Sequence, residues 1–322
     1  MTTAAPPVPT LDEIRQAAEA LREVAPPTPL VETADLSRRA SQPVFLKCEL
    51  WQPMGAFKMR GAWTAITRLS PEAKARGIIT HSSGNHGQAV AFTAQKLGLR
   101  AVIVMPRTAP AIKVEGVRRY GGEVVFTDAI SSARLQRAAE VAAEEGLTMV
   151  PPYDDPNIVL GQSTCAFEVL QSHPEISTFL APIGGGGLLA GTCVTVIHGR
   201  PDARVVGVEP EGAAKLSAAL EAGHPVALES TASLADGLLP LSVGTLTFEY
   251  IRQVVREAVR VTDEEIGAAV RYLWREQGLR VEPSGAVGVA ALLAGKFKPK
   301  TPTAILLTGG NVDPALFQKL VA

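Results

Sequence analysis

The chain has 322 residues, 46% of them hydrophobic and 20% charged, and a formal net charge of −1; this length favours a large core and two domains. A charge so close to zero provides no field that would attract nucleic acid or an anionic membrane surface. No apolar run reaches the roughly 20 residues that cross a bilayer. The N-terminus lacks the basic and apolar regions of a secretory signal. The three cysteines are far apart and form no pair with the spacing of metal ligands. We therefore expect a cytoplasmic protein.

The predicted elements alternate between helix and strand along most of the chain. Thr10 and Glu13 form a capping box that opens a helix to about Val24, and Thr262 and Glu265 form another that opens a helix ended by Gly278. Between and beyond them we predict strands at 44–48, 77–80, 101–105, 123–127, 178–183, 204–209 and 303–308, and helices at 61–69, 85–97, 110–120, 133–145, 156–171 and 188–196. This alternation predicts an α/β fold with largely parallel sheets.

The composition changes suggest where the domains divide. Breaks at Ser70-Pro71 and at Pro151-Pro152 separate a small domain, residues 71–151, from a large domain made of residues 1–70 and 152–322.

Four consecutive glycines, Gly184, Gly185, Gly186 and Gly187, join a predicted strand to a predicted helix. Bare backbone N–H groups at a helix N-terminus are suited to binding a phosphate. Residues 185–190 also match the G-x-G-x-x-A dinucleotide pattern, and Glu209 follows about 20 residues on, where a ribose-binding acid would stand. An NAD-dependent oxidoreductase is therefore one alternative.

Three further segments carry groups that could act on a ligand. Lys58 stands between Phe57 and the glycines Gly55 and Gly61, a crowded setting of the kind that lowers the pKa of a Schiff-base lysine, although a loop lysine can equally be a solvated charge. Residues 82–87 and 308–311 each follow a predicted strand. Because ligands in open α/β sheets lie off the carboxyl ends of strands, we expect these segments and the glycine run to form one site.

Together these segments resemble the fold-type II pyridoxal-phosphate enzymes, specifically the serine/threonine dehydratase and serine racemase family. The resemblance runs from about Thr28 to Asp313. It rests on the segments 47–52, 55–61, 82–88, 161–162, 182–187, 208–210, 235–237, 281–285 and 308–311, in this order and spacing. It implies a fold like that of the tryptophan synthase β subunit, with two open, twisted, mostly parallel sheets flanked by helices.

The resemblance also implies roles for individual residues. Lys58 would hold pyridoxal 5′-phosphate (PLP) covalently and then act as the base on the substrate Cα. The other residues implied to bind the cofactor are Phe57, Asn85, Gly184, Gly185, Gly186, Gly187, Glu282 and Thr308, with Thr308 meeting the pyridine nitrogen. The residues implied on the substrate side are Ser82, Ser83, Gly84, Asn85, His86, Arg134 and Ser242. Arg134 is equally well explained as a solvated helix residue.

Two of these residues bear on the reaction. Because the Thr308 hydroxyl is neutral, it cannot keep the pyridine nitrogen protonated, so the ring is a weaker electron sink and elimination becomes competitive. Ser83 would lie on the ring face opposite Lys58, where a second acid/base could return a proton to Cα and so racemise the substrate.

The family's divalent-metal site is only partly matched. Glu209 and the carbonyl of Ala213 fit it, but Lys215 stands where a second acid is expected. An ammonium cannot ligate a cation, although it could replace one by pairing with Glu209. We expect no strong metal dependence.

The sequence thus predicts a PLP-dependent lyase that converts L-threonine, L-serine or a related β-hydroxy amino acid to a 2-keto acid and ammonia. The alternatives are an amino-acid racemase on the same scaffold, a dehydratase for a bulkier or acidic β-hydroxy amino acid, and a non-catalytic cofactor-binding regulator. The resemblance further implies a homodimer or higher homo-oligomer that acts on a small amino acid, without a nucleic-acid or membrane partner.

Overall fold

The computed structural model describes residues 7–82, 84–109, 111–128 and 131–322. The strands are β1 Leu30–Glu32, β2 Val44–Cys48, β3 Ile78–His81, β4 Ala101–Pro106, β5 Glu123–Thr127, β6 Thr148–Met149, β7 Thr178–Pro182, β8 Arg204–Pro210, β9 Ala258–Val261 and β10 Thr303–Leu307. The helices are α1 Leu11–Leu21, α2 Ala34–Ala40, α3 Lys58–Thr67, α4 Pro71–Arg76, α5 Asn85–Leu97, α6 Ala111–Arg119, α7 Ser131–Glu145, α8 Pro156–Ser172, α9 Gly187–Gly199, α10 Lys215–Ala222, α11 Thr245–Val254, α12 Asp263–Gln277, α13 Pro283–Leu293 and α14 Pro314–Val321.

These strands form two sheets. The larger has the order β1-β2-β10-β7-β8-β9, and the smaller has the order β5-β4-β3-β6. In the larger sheet β1 runs antiparallel to β2 and the remaining pairs are parallel; the smaller sheet is parallel throughout its described strands. Strands β2, β7 and β10 are buried at every position, as expected when helices cover both faces of a parallel sheet. The predicted α/β fold with two mostly parallel sheets is confirmed.

The two sheets divide the chain in a simple way. All strands of the smaller sheet fall within residues 71–151, and all strands of the larger sheet fall outside that span. The proposed division into a small and a large domain at these boundaries remains a prediction.

Local sequence signals explain several helix ends. Both capping boxes form: the Thr10 hydroxyl accepts a hydrogen bond from Glu13 N, and the Thr262 hydroxyl accepts one from Glu265 N. Gly278 ends α12 in the left-handed conformation with φ 65°. The first helix ends at Leu21 rather than near Val24, and the helix predicted from residue 61 begins at Lys58.

A buried ion cluster fixes α3 against the larger sheet. Arg60 lies between two carboxylates: its Nε is 2.7 Å from Glu49 Oε2 and its Nη1 is 2.6 Å from Glu168 Oε1. Lys47 Nζ is 2.6 Å from the other oxygen of Glu168. Since Arg60 is fully buried and two residues beyond Lys58, this cluster sets the position of the helix that carries Lys58. Within the described ranges, no helix is long and apolar enough to cross a membrane.

Candidate active site

The loop that carries Lys58 is joined directly to the loop after β10. Phe57 N donates to Thr308 O at 3.0 Å, Gly310 N donates to Gly55 O at 3.0 Å, and Ala56 forms an antiparallel bridge with Gly309. Because β10 lies beside β2 in the sheet and runs parallel to it, the two loops start from the carboxyl ends of neighbouring strands. Lys58 and Thr308, 250 positions apart, are therefore held side by side.

Lys58 is the first residue of α3 and is half-buried. Its Nζ donates to Pro152 O at 2.7 Å and lies 5.3 Å from the centroid of the Phe57 ring. Burial away from water lowers the pKa of Lys58 to about 8, since desolvation disfavours the charged form. A substantial fraction of this amine is therefore nucleophilic near neutral pH.

The glycine run is so closely packed that side chains are excluded. A Cβ built on Gly185 would lie 2.3 Å from three atoms of the Tyr153 ring, and one on Gly184 would lie 2.9 Å from Gly237 O. At Gly186, φ is +101° and a Cβ would meet Thr247 Oγ1 at 2.8 Å. Each of these contacts is shorter than real Cβ atoms show, so the loop needs glycine for space as well as for conformation.

A carbonyl of the glycine run is held by hydrogen bonds, and the N–H groups of the run lie at the N-terminus of α9. Gly185 O accepts hydrogen bonds from Gly244 N at 3.0 Å and from Thr247 Oγ1 at 2.8 Å. No described residue accepts a hydrogen bond from the N–H groups of Gly184, Gly185 or Gly186. These groups, at the positive end of α9, therefore fit a phosphate.

Asn85 belongs to a hydrogen-bond chain that spans the site. Its Nδ2 donates to Glu282 Oε1 at 2.7 Å, and its Oδ1 accepts from Asn311 Nδ2 at 2.9 Å. Burial, together with the charge of Asp236, raises the pKa of Glu282 to about 8. Asn85 is thus held in one orientation at the start of α5, next to the loop of Lys58 and Thr308.

The segment after β3 leads into the same region. Ser82 Oγ accepts a hydrogen bond from Gly84 N at 3.2 Å. His86 Nε2 lies 3.1 Å from Val150 O, and burial lowers the pKa of His86 to about 3, so the ring is neutral. Its Nδ1 is buried without a partner among the described residues. Ser83, the predicted second acid/base, lies outside the described residues.

The two other predicted substrate residues lie on different elements. Arg134 is half-buried on α7, and its charge is close enough to contribute to lowering the pKa of His81, after the larger effect of burial. His81 ends β3, directly before Ser82. Ser242 Oγ donates to Val243 O at 2.8 Å, two residues before Gly244, which contacts the glycine run.

The residues at the expected metal position do not fit a divalent cation. Lys215 Nζ donates to the carbonyls of Ala213 at 2.8 Å and Leu238 at 2.9 Å. No group of three or more acidic, histidine or cysteine side chains in the described part of the chain could hold a metal. Lys215 and Glu209 do not form a direct ion pair, but burial lowers the pKa of Lys215 to about 8 and the charge of Glu209 acts against that lowering. Both carboxylate oxygens of Glu209 instead bind the start of α10.

Several contributors to the site were not singled out from the sequence. Pro152 supplies the carbonyl that binds Lys58, and Tyr153 packs on Gly185. The sequence pattern indicates only a domain boundary at this segment. Lys113 on α6 forms an ion pair with Asp236, which no spacing indicated. Asn311 belonged to a recognised segment, but its link to Asn85 required the pairing of distant loops.

The geometry meets the demands of PLP binding. It combines a lysine with a lowered pKa, a glycine cradle with open N–H groups and the neutral hydroxyl residue Thr308. The segment 152–153 contacts both Lys58 and the glycine run, so the amine and the cradle adjoin the same piece of backbone.

Comparison with known proteins agrees with this fit. Residues 21–309 match the family model described as "Pyridoxal-phosphate dependent enzyme". The chain is 35% identical to an L-threonine ammonia-lyase of Thermotoga maritima (97% of this chain, 78% of that one) and 37% identical to a β-hydroxyaspartate dehydratase of Paracoccus denitrificans (95% and 97%). The structure of maize serine racemase superposes with a TM-score of 0.93 at 36% identity, covering 97% of each chain. The PLP assignment thus replaces the NAD alternative, and the chain belongs to the fold-type II pyridoxal-phosphate dependent enzymes.

Proposed function

We propose that this enzyme removes water from L-threonine, L-serine or a related β-hydroxy amino acid and releases a 2-keto acid and ammonia. The observation that carries the proposal is the hydrogen bond from Phe57 N to Thr308 O, which joins the loop of Lys58, an amine of lowered pKa, to the loop of a neutral hydroxyl residue. A neutral partner for the ring nitrogen favours elimination over a fully developed carbanion.

Different residues of the chain would have separate roles in this elimination. Bound PLP supplies the electron sink that acidifies the substrate Cα–H bond. The glycine run would bind the phosphate, the loop at the start of α5 would bind the substrate carboxylate, and Asn85 would contact the ring hydroxyl. Lys58 takes the Cα proton as a general base. Return of this proton to the β-hydroxyl would let it leave as water, and the released enamine takes up water and gives the keto acid and ammonia.

A racemase is the second candidate. It requires an acid/base on the ring face opposite Lys58, the role that the sequence suggests for Ser83. The similarity to maize serine racemase over nearly the whole chain supports testing this activity in the same assay.

An acidic substrate is a further possibility within the dehydratase proposal. Arg134 lies near His81, at the strand end that leads into the predicted carboxylate-binding loop. A guanidinium there suits a second carboxylate on the substrate, and the relative from Paracoccus denitrificans is named a β-hydroxyaspartate dehydratase.

One experiment separates these candidates. The holoenzyme is incubated with L-threonine, L-serine and β-hydroxyaspartate; keto-acid release is followed, and the remaining amino acid is resolved on a chiral column. Keto-acid formation without the opposite enantiomer supports the dehydratase. Rapid appearance of the D-enantiomer with little keto acid would overturn it in favour of the racemase. No reaction with any of the three would contradict both.

Assembly and location are proposals of the same kind. We expect a homodimer or higher homo-oligomer, measured by light scattering during size-exclusion chromatography, and a cytoplasmic location, measured by cell fractionation. A monomeric holoenzyme would contradict the first, and recovery outside the cytoplasmic fraction would contradict the second.

A further inference from the structure

Lys215 is a cation buried inside the protein without a direct ionic partner. Its side chain is fully buried, and its Nζ donates to Ala213 O at 2.8 Å and Leu238 O at 2.9 Å. No acidic oxygen among the described residues lies within 4 Å of it. Backbone carbonyls are typical ligands of metal ions, and here two of them converge on an ammonium instead.

The nearest negative charge is that of Glu209, which is fully buried as well. Glu209 accepts hydrogen bonds from Leu216 N at 2.8 Å, Ser217 N at 2.8 Å and Ser217 Oγ at 2.7 Å. The carboxylate therefore caps the first turn of α10, where the helix dipole favours a negative charge. Lys215, at the first position of the same helix, provides the positive charge that offsets it.

The second carbonyl connects Lys215 to the glycine run. Leu238 belongs to the segment 236–239, and this segment packs on Gly184: a Cβ there would lie 2.9 Å from Gly237 O and 3.6 Å from Leu238 Cα. Gly237 N in turn donates to Ser284 Oγ at 2.9 Å. Lys215 thus ties the start of α10 to the backbone that supports the phosphate cradle.

We propose that the Lys215 ammonium is a built-in cation that takes the place of a bound divalent metal ion. It cross-links the Ala213 and Leu238 carbonyls, it balances Glu209, and it holds the segment behind the glycine run. An ammonium has no lone pair to offer a metal, and its charge repels one. The wild-type protein accordingly needs no divalent cation at this position, and Lys215 acts as a positioning residue.

The test uses two variants of the same residue. Lys215→Met keeps the length of the side chain without its charge or donors, and Lys215→Asp adds an oxygen ligand and opens space. Each variant and the wild-type holoenzyme are measured in EDTA and in excess Ca²⁺ for thermal midpoint. Binding of Mn²⁺ is measured by electron paramagnetic resonance, and the dissociation constant for PLP by titration of the apo-protein. None of these measurements depends on the identity of the substrate.

We expect the wild-type protein to bind no Mn²⁺ here and to keep its Tm in EDTA. Lys215→Met should lower Tm by about 5 to 10 °C, with no recovery in Ca²⁺, because two carbonyls lose their donor and Glu209 loses the charge that offsets it. Lys215→Asp should bind one Mn²⁺ that Ca²⁺ displaces, and Ca²⁺ at about 100 times its Kd should raise its Tm by about 3 to 6 °C. Both variants should bind PLP more weakly in EDTA, and Ca²⁺ should restore the affinity of Lys215→Asp alone.

Three results would overturn the proposal. One is stoichiometric Mn²⁺ binding by the wild-type protein together with a loss of Tm in EDTA. Another is a Lys215→Met variant with wild-type Tm and PLP affinity. The third is a folded Lys215→Asp variant with no response to either cation. If both variants fail to fold, the wild-type measurements alone decide, because the proposal requires that they show no cation at this site.

Discussion

Gly185→Ala tests whether the packing of the glycine run serves cofactor binding. The new Cβ would lie 2.3 Å from the Tyr153 ring, against an ordinary contact distance of at least 3.4 Å, so ring and loop must separate by about 1 Å. Overpacking on this scale costs about 1–3 kcal/mol. The apo-protein can relieve the contact by displacing the loop, but phosphate binding requires the loop to return.

The cost should therefore appear in cofactor affinity. At about 1.4 kcal/mol per factor of ten, we expect the dissociation constant for PLP to rise about 5- to 150-fold. Turnover should also fall, because Tyr153 follows Pro152, whose carbonyl holds Lys58.

The assay is a titration of apo-protein with PLP, followed by absorbance, beside a matched glycine control. Gly267→Ala lies on α12, where the new Cβ would meet Leu320 Cδ2 at an ordinary 3.4 Å; its dissociation constant should stay within about twofold of the wild type. If Gly185→Ala also kept the wild-type dissociation constant, the inferred role of the packed cradle in phosphate binding would be wrong.

Three further predictions concern Lys58 and the cluster beneath it. Lys58→Ala should reduce keto-acid release by about 10³-fold or more while the glycine run still binds some PLP. The control, Lys96→Ala at an exposed position, should leave turnover unchanged. Normal turnover in Lys58→Ala would show that Lys58 is not the base. Because burial lowers the pKa of Lys58 to about 8 and the neutral amine is the nucleophile, the rate of PLP attachment should rise with pH, reach half of its maximum near pH 8 and level off above that pH. A half-maximum near the ordinary lysine pKa of 10.5 would contradict the pKa shift. Arg60→Ala should cost about 3–5 kcal/mol in the free energy of unfolding, since the buried Glu49 carboxylate loses the guanidinium that donates to both of its oxygens. Denaturant unfolding measures this cost, and Arg68→Ala at an exposed position is the control. Equal stability of the two variants would show that the buried ion cluster does not stabilise the fold.

The elements that position the site could largely be predicted from the sequence. Strand β2 and strand β5 have the predicted bounds, because short apolar runs between turn residues define them well. Parallel strands also bring their carboxyl ends to one edge, so the joining of Lys58 with the loop after β10 followed from the order of elements.

The remainder depended on contacts that leave no pattern in the sequence. The partner of Lys58 is the Pro152 carbonyl. Every residue has a backbone carbonyl, so no residue type in the sequence indicates which one accepts this hydrogen bond. Strands β1 and β9 have three and four residues, too few for periodicity to appear. The partners of Glu209 are likewise backbone groups, because its carboxylate binds the first turn of α10, a short helix that the sequence pattern does not predict.

The position of the last strand has a consequence for how the enzyme matures during synthesis. Strand β10 lies between β2 and β7, so the larger sheet has a gap at its centre until residues 303–307 are made. The loop of Lys58 completes its hydrogen bonds only with residues 308–310, which follow directly. A nascent chain on the ribosome thus carries its reactive amine without the neighbours that orient it until residues 303–310 have been made. Capture of the cofactor in the native geometry must therefore follow the emergence of residues 303–310.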